Sequence, residues 1–222
     1  MRETEGGAAV DRAALRERLR HVYWLGGGSG AGKSTIARRL AARHGLRLYA
    51  TDDAMADHAR RSSAEEAPLL HRFLAMDMDE RWVHRPADAM LRTFHWFQGE
   101  GFDLIVDDLL ALPREPAILV EGFRLLPRLV APLLAARAHA VWLVPTPHFR
   151  EAVMRGRGGS TSGFLARTTD PESALHNLLE RDRMFTDVLR AEAAHLELPV
   201  IDVDGVMPEE DLAARVAALL GL

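Results

Sequence analysis

The chain has no cysteine in its 222 residues. That excludes disulfides and thiolate metal sites, and it fits a cytoplasmic protein. No apolar run approaches the ~20 residues that cross a bilayer, so no membrane association is expected. The N-terminal MRETEGGAAVDR lacks an apolar centre and does not read as a signal peptide. Neither sign of charge dominates. A net charge of -4 argues against general nucleic-acid binding, although arginines can still build a local basic site. The ten histidines show no metal-site spacing with an acidic partner, so no structural zinc is expected. Lysine is almost missing as well. Of 28 lysines and arginines, one is a lysine, Lys33. Arginine serves wherever a generic cation will do, and this position alone keeps an amine.

Lys33 sits in the most informative stretch, His21 to Thr35. A short apolar run, Val22 to Leu25, reads as a buried strand. Gly27-x-x-x-x-Gly32-Lys33-Ser34 follows, the spelling of a phosphate-binding (Walker A) loop, and Thr35 to Arg43 reads as a helix with Ile36, Ala37, Leu40 and Ala41 on one stripe. The bare pattern arises by chance in roughly one chain in a hundred of this length. Strand before and helix after narrow that further. Glycines let backbone N–H groups wrap a polyphosphate, and the helix N-terminus turns partial positive charge toward it. Gly27, Gly28, Ser29, Gly30, Ala31, Gly32 and Thr35 are therefore the expected nucleotide cradle. Lys33 would reach the β and γ phosphates of ATP, and the Ser34 hydroxyl would ligate Mg²⁺.

The rest alternates strand and helix. Helices are expected over Asp11–Arg20, up to about His44 with Gly45 as a stop, over Leu125–Arg137, over His148–Arg155, from Asp170-Pro171 to about His195, and from Pro208 to about Leu220. Strands are expected at Leu46–Asp53, Ala117–Glu121, Ala140–Val144 and Pro199–Val203. Phe102 to Asp108 resembles a strand ending in an acidic pair. Parallel neighbours need a crossover of about a dozen residues, and too few separate it from Ala117, so residues 102–112 are assigned to a helix. Residues 54–100 read as two or three inserted helices, and Gly156–Gly163 as a flexible basic loop in a lid of about 155–170. The expected architecture is α/β: a single three-layer P-loop NTPase domain over residues 1–222, with a five-stranded parallel sheet covered on both faces.

Other polar groups gather at strand ends, where open parallel sheets bind ligands. Asp52 and Asp53 end the second strand. One would orient or deprotonate an acceptor hydroxyl while the other holds water on Mg²⁺; the ordinary alternative is a helix N-cap. Glu121 ends the third strand and suits a Mg²⁺-bound water or an acceptor contact; the alternative is a surface acid before a turn. Arg124 suits an acceptor anion. Arg155, Arg157, Arg181 and Arg183 border the glycine-rich loop, and one or two of them would meet charge on a transferring phosphoryl group. Arg60, Arg61, His71 and Arg72 would grip an anionic acceptor or simply form a solvated face. Trp82, Trp96 and Phe97 would stack on a ring or, at helical spacing, belong to the core, which is the preferred reading.

With these residues in place the chain resembles the small P-loop kinases of metabolites and nucleotides. Gly26 to Ala37, Thr51-Asp52 and Val120-Glu-Gly-Phe-Arg-Leu-Leu-Pro127 resemble the 2-phosphoglycerate kinase-like group. Glu121-Gly-Phe-Arg124 is also similar to the Asp-Gly-Phe-Pro-Arg stretch of adenylate kinases, with Glu for Asp and without the proline. In those enzymes the acid lies near the metal and the arginine contacts the acceptor's phosphate. Gluconate, shikimate and adenylylsulfate kinases share the acid after strand two. No Asn-Lys-x-Asp guanine signature occurs. The expectation is an ATP- and Mg²⁺-dependent kinase with a small-molecule acceptor chosen by the insert, an oligomer being possible but not indicated. The alternative from another class is a regulatory ATPase acting through a protein partner; a nucleic-acid end kinase ranks third.

Overall fold

The computed structural model describes residues 12–222. The expected helix start at Asp11 lies outside them, and residues 12–18 are helical (α1). Strands β1 (Val22–Gly27), β2 (Arg47–Ala50), β3 (Ile118–Glu121), β4 (Ala140–Pro145) and β5 (Val200–Val203) form one sheet in the order β2-β3-β1-β4-β5. Every neighbouring pair is parallel, with Leu25 opposite Glu121 and Gly27 opposite Leu143. This is the expected three-layer α/β arrangement with a five-stranded parallel sheet, and the strand order places β1 and β3 side by side.

Alternation along the strands explains the layers. Val22, Trp24, Val120, Trp142 and Val144 point to one face, where they pack on Ile105 and Leu109 of α8 (Phe102–Ala111) and on Phe185 and Leu189 of α11 (Pro171–His195). Leu25, Leu119, Leu143 and Ile201 point to the other. There they meet Ile36 and Leu40 of α2 (Lys33–His44) and Val216 and Leu220 of α12 (Glu209–Leu220). Both faces are buried, which is why the central strands read as continuous apolar runs.

Three expectations change. The strand expected through Asp53 stops at Ala50: the Thr51 N–H still pairs with the Glu121 carbonyl at 2.9 Å, then the Asp53 N–H turns back to Ala50 at 3.2 Å. The acidic pair therefore sits in a turn. The insert holds five short helices rather than two or three: α3 (Met55–Arg61), α4 (Pro68–Ala75), α5 (Met78–Trp82), α6 (Ala87–Thr93) and α7 (His95–Gln98). The helix expected over Leu125–Arg137 is a single turn, α9 (Pro127–Val130), with 3-10 turns at Ala131–Leu133 and Arg137–His139. Pro132 lacks the N–H an α-helix needs there. After α10 (Pro147–Gly156), the glycine-rich stretch carries 3-10 turns at Gly159–Thr161 and Leu165–Arg167. No described helix is long and apolar enough to cross a membrane.

Candidate active site

The loop between β1 and α2 is dictated by its glycines. Gly27, Gly30 and Gly32 have φ of 131°, 79° and 78°, values that side chains rarely adopt. A Cβ on Gly27 would lie 1.9 Å from the Leu143 carbonyl oxygen, and one on Gly26 would lie 2.2 Å from Trp142 Nε1. The loop thus lies flat on β4. Gly32 is different: a Cβ there meets nothing within 4 Å, so its backbone angle alone requires glycine. Ala31 and Lys33 are buried, and Ser34 is exposed at the first turn of α2. Lys33 Nζ donates to the Gly28 carbonyl at 2.8 Å, folding the amine back over the loop.

Around that amine lies an acidic cluster. Glu121 is 3% exposed. Burial pushes its carboxyl above the usual range, while Lys33 and a hydrogen bond with Ser34 pull it back. Asp52 touches solvent but sits in the same crowded cleft: burial raises its carboxyl, and Lys33 and Arg124 oppose the rise. Burial lowers the Lys33 amine, with Glu121 and then Asp52 opposing. Lys33, Ser34, Glu121 and Asp52 form one electrostatic unit. Asp53 is exposed beside it. Neither acid caps α3, whose N-cap Ala54 has no side-chain bond, so the capping alternative does not apply.

Arg124, read from the sequence as suited to an acceptor anion, is turned into contacts within the protein. It is 2% exposed, donates to the carbonyls of Thr51 and Gly101 at 3.4 and 2.9 Å, and lies 4.0 Å over the Trp96 ring. Its Nη1 also meets His58 Nδ1 at 3.0 Å. His58 Nε2 in turn donates to Asp108 at 2.8 Å, and Asp108 accepts from Tyr49 at 2.7 Å. A guanidinium donor on one ring nitrogen and a carboxylate acceptor on the other fix the His58 tautomer, with the proton on Nε2 and the lone pair toward Arg124. Burial raises Asp108, but hydrogen bonds from Arg61, Tyr49 and His58 outweigh it and hold the carboxyl at about 2. This chain sets the floor beneath Thr51 and Asp52. Sequence reading weighed Asp108 only as a strand-end acid and assigned Tyr49 and His58 nothing.

A second group was missed in part. Arg150 of α10 and Arg181 of α11 both clamp Asp182: Arg150 Nη2 donates to one carboxylate oxygen at 2.6 Å and Arg181 Nη2 to the other at 2.7 Å. All three are buried. Each arginine keeps one buried Nη1 without a partner, and Arg150 lies against Gly30 of the loop. Arg181 and Asp182 fall on the apolar phase of α11 between Leu178 and Phe185, a signal that periodicity offered. Arg150 carries no such mark.

The remaining candidates lie outward. The Arg60 side chain is 78% exposed and pairs with Asp57 on its own helix. Arg155 pairs with Glu151, and Arg183 with Glu180 and Asp187. Arg155 and Arg183 line a cavity of about 610 Å³ between α10 and α11. Arg157 lines another, of about 400 Å³, which runs from Ser29 of the loop to the insert and contains Arg150, Arg181 and Asp182. Trp82, Trp96 and Phe97 line this second cavity while also being buried. They are core residues, as preferred, and cavity wall at the same time.

No protein-family model matches the chain. A curated relative, 2-phosphoglycerate kinase of Thermococcus kodakarensis, is 33% identical over 126 residues, which are 54% of this chain and 42% of that enzyme. The chain thus spans less than half the length of that relative. Among solved structures, a gluconokinase from Sinorhizobium meliloti aligns with a TM-score of 0.46 at 15% identity, covering 91% of this chain and 93% of that one. An uncharacterized protein from Eubacterium ventriosum aligns with a TM-score of 0.45 at 14% identity, covering 90% and 97%.

Proposed function

We propose that the protein is an ATP-dependent kinase that moves the γ-phosphoryl group to a small-molecule acceptor. The observation that carries this reading is the convergence of Lys33, Ser34, Glu121 and Asp52 on one glycine loop, with the unpartnered Arg150 Nη1 at its rim. The loop fits a polyphosphate: its left-handed glycines open space where side chains would stand, and a buried amine spends its bond on the loop's own carbonyl.

In this reading Lys33 releases Gly28 and holds the β and γ phosphates. Arg150 and Arg181 present their free N–H groups to charge that builds on the transferring group, and Arg155 and Arg157 stand at the outer edge. Asp52 orients the acceptor hydroxyl, with the exposed Asp53 behind it. Arg124 keeps the turn carrying Asp52 in place. Ser34, with Glu121 and Asp52 through water, would hold Mg²⁺; these are hard oxygen donors. Among the described residues no group of three His, Cys, Asp or Glu side chains forms an ion site of its own. When bound, Mg²⁺ would neutralise phosphate charge. Catalysis would be positioning plus charge stabilisation. The partial match to 2-phosphoglycerate kinase supports the reaction class.

The test is ADP release from MgATP with and without a metabolite panel, beside Lys33→Ala. Acceptor-dependent release that disappears in the variant is the expected result. ATP binding with slow turnover that no acceptor accelerates would overturn the kinase reading in favour of a regulatory ATPase.

A further inference from the structure

The cavity of about 400 Å³ that opens at Ser29 has an unusual wall for a kinase acceptor site. Phe73, Trp82, Phe94, Trp96, Phe123 and Phe164 face it from α4, α5, the α6–α7 junction, the turn after β3 and the lid. Several are locked by edge-on ring contacts, such as Phe73 with Trp82 at 5.7 Å and with Phe94 at 5.4 Å. Phe164 remains 39% exposed at the lid side and leans on Trp82 at 4.7 Å. The rings are held in place and still leave space of ligand size.

The polar groups are few and collected at the loop end. Arg150, Arg181 and Asp182 together carry one net positive charge, because both guanidinium groups share the one carboxylate, and the solvent-exposed Arg157 is the one further cation of the lining. That suffices for a single transferring phosphoryl group. Three lining residues, His95, Arg150 and Arg181, each keep one buried nitrogen without a partner: Nδ1 of His95 and Nη1 of each arginine. His95 is held neutral, its imidazole lowered to about 3 by burial and then by Arg124 and Arg181. A polyhydroxy acid would lose its hydrogen bonds to water against these rings, and a phosphoglycerate would bring at least two further negative charges with no free buried cation to meet them. A flat ring gains offset and edge contacts with the wall and needs few polar partners.

We propose that the acceptor is an uncharged molecule built on an aromatic ring system and bearing the hydroxyl that is phosphorylated, seated between the Trp82–Phe164 pair and the Trp96 side of the cavity. This deepens the kinase reading and rests on it. In the reaction the hydroxyl oxygen bonds to the γ-phosphorus, the bond from that phosphorus to the β–γ bridging oxygen breaks, ADP leaves with the electron pair, and the hydroxyl proton passes to the base of the kinase reading, Asp52, which stands outside the cavity lining.

The experiment pairs MgATP-driven ADP release with quenching of tryptophan fluorescence. Pyridoxine, thymidine, uridine and 2-phenylethanol form one arm; D-gluconate and 2- and 3-phosphoglycerate form the other. Phe164→Ala and Phe164→Leu alter a wall residue that is partly exposed, and circular dichroism confirms that each variant is folded. The expected result is turnover and quenching with a ring-bearing alcohol, and a KM raised at least tenfold in Phe164→Ala with kcat little changed. Turnover of gluconate or a phosphoglycerate at a KM indifferent to Phe164 would overturn the acceptor class and leave the kinase standing. ATP binding lost in Lys33→Ala but no acceptor-dependent turnover in either arm would overturn the kinase reading, and the proposal with it.

Discussion

Lys33 and Arg150 meet the same loop from opposite sides, one folded over Gly28 and the other packed on Gly30. Arg150→Ala is expected to lower kcat by roughly 10²- to 10³-fold with ATP affinity changed far less, because its free N–H acts on developing charge. Arg150→Lys should not rescue it, since an ammonium cannot hold Asp182 and a phosphoryl oxygen in one plane. Steady-state kinetics with the identified acceptor checks both. Asp108 belongs to stability. Its carboxyl sits at about 2 in the fold, below the ~3.9 of an unfolded chain. It therefore contributes stability that is complete above about pH 4 and is lost as pH falls toward about 2. Urea unfolding of Asp108→Asn should show lower stability at neutral pH and a flatter dependence between those limits.

Elements differ in how far local sequence determines them. The β1–loop–α2 unit was legible because every signal is local: an apolar run, glycines with required angles, and a helix stripe. Gly32→Ala should fold with a modest loss of about 1–2 kcal/mol for a left-handed angle, whereas Gly27→Ala collides with the Leu143 carbonyl and should not yield folded protein; expression and circular dichroism separate the two. The insert was illegible for the opposite reason. Its helices run from 4 to 8 residues, too short for periodicity to speak. Helix α4 has no cap of its own. The Glu100 carboxylate, from beyond α7, accepts the Leu69 and Leu70 N–H groups at 2.9 and 2.8 Å. Glu100→Ala should cost about 1 kcal/mol in thermal or urea unfolding, and it should raise acceptor KM more than it lowers kcat, because α4 carries Phe73.

At the scale of the molecule, the parallel sheet follows from the alternation of strand and helix, and the glycine loop lies between β1 and α2 as the local pattern predicts. What sequence alone left unresolved was how distant polar residues pair: Asp182 with two arginines, Asp108 with Tyr49 and His58. Arg181 is the chain neighbour of Asp182, but the other partnerships span 32 to 59 residues, and no residue in them declares its partner. MgATP at a hundredfold excess over its Kd should raise the unfolding temperature by roughly 5 °C or more, and Lys33→Ala should abolish the rise; scanning fluorimetry decides it.

The solitary, buried lysine has a practical corollary. Among these 222 residues acylating chemistry finds a single side-chain amine, and that amine lies in the glycine loop. An acyl-phosphate ATP analogue would therefore leave its tag at one address, and the mass of one peptide would report occupancy of the loop directly from cell extract. No site-directed engineering would be needed to obtain a protein with a unique amine label.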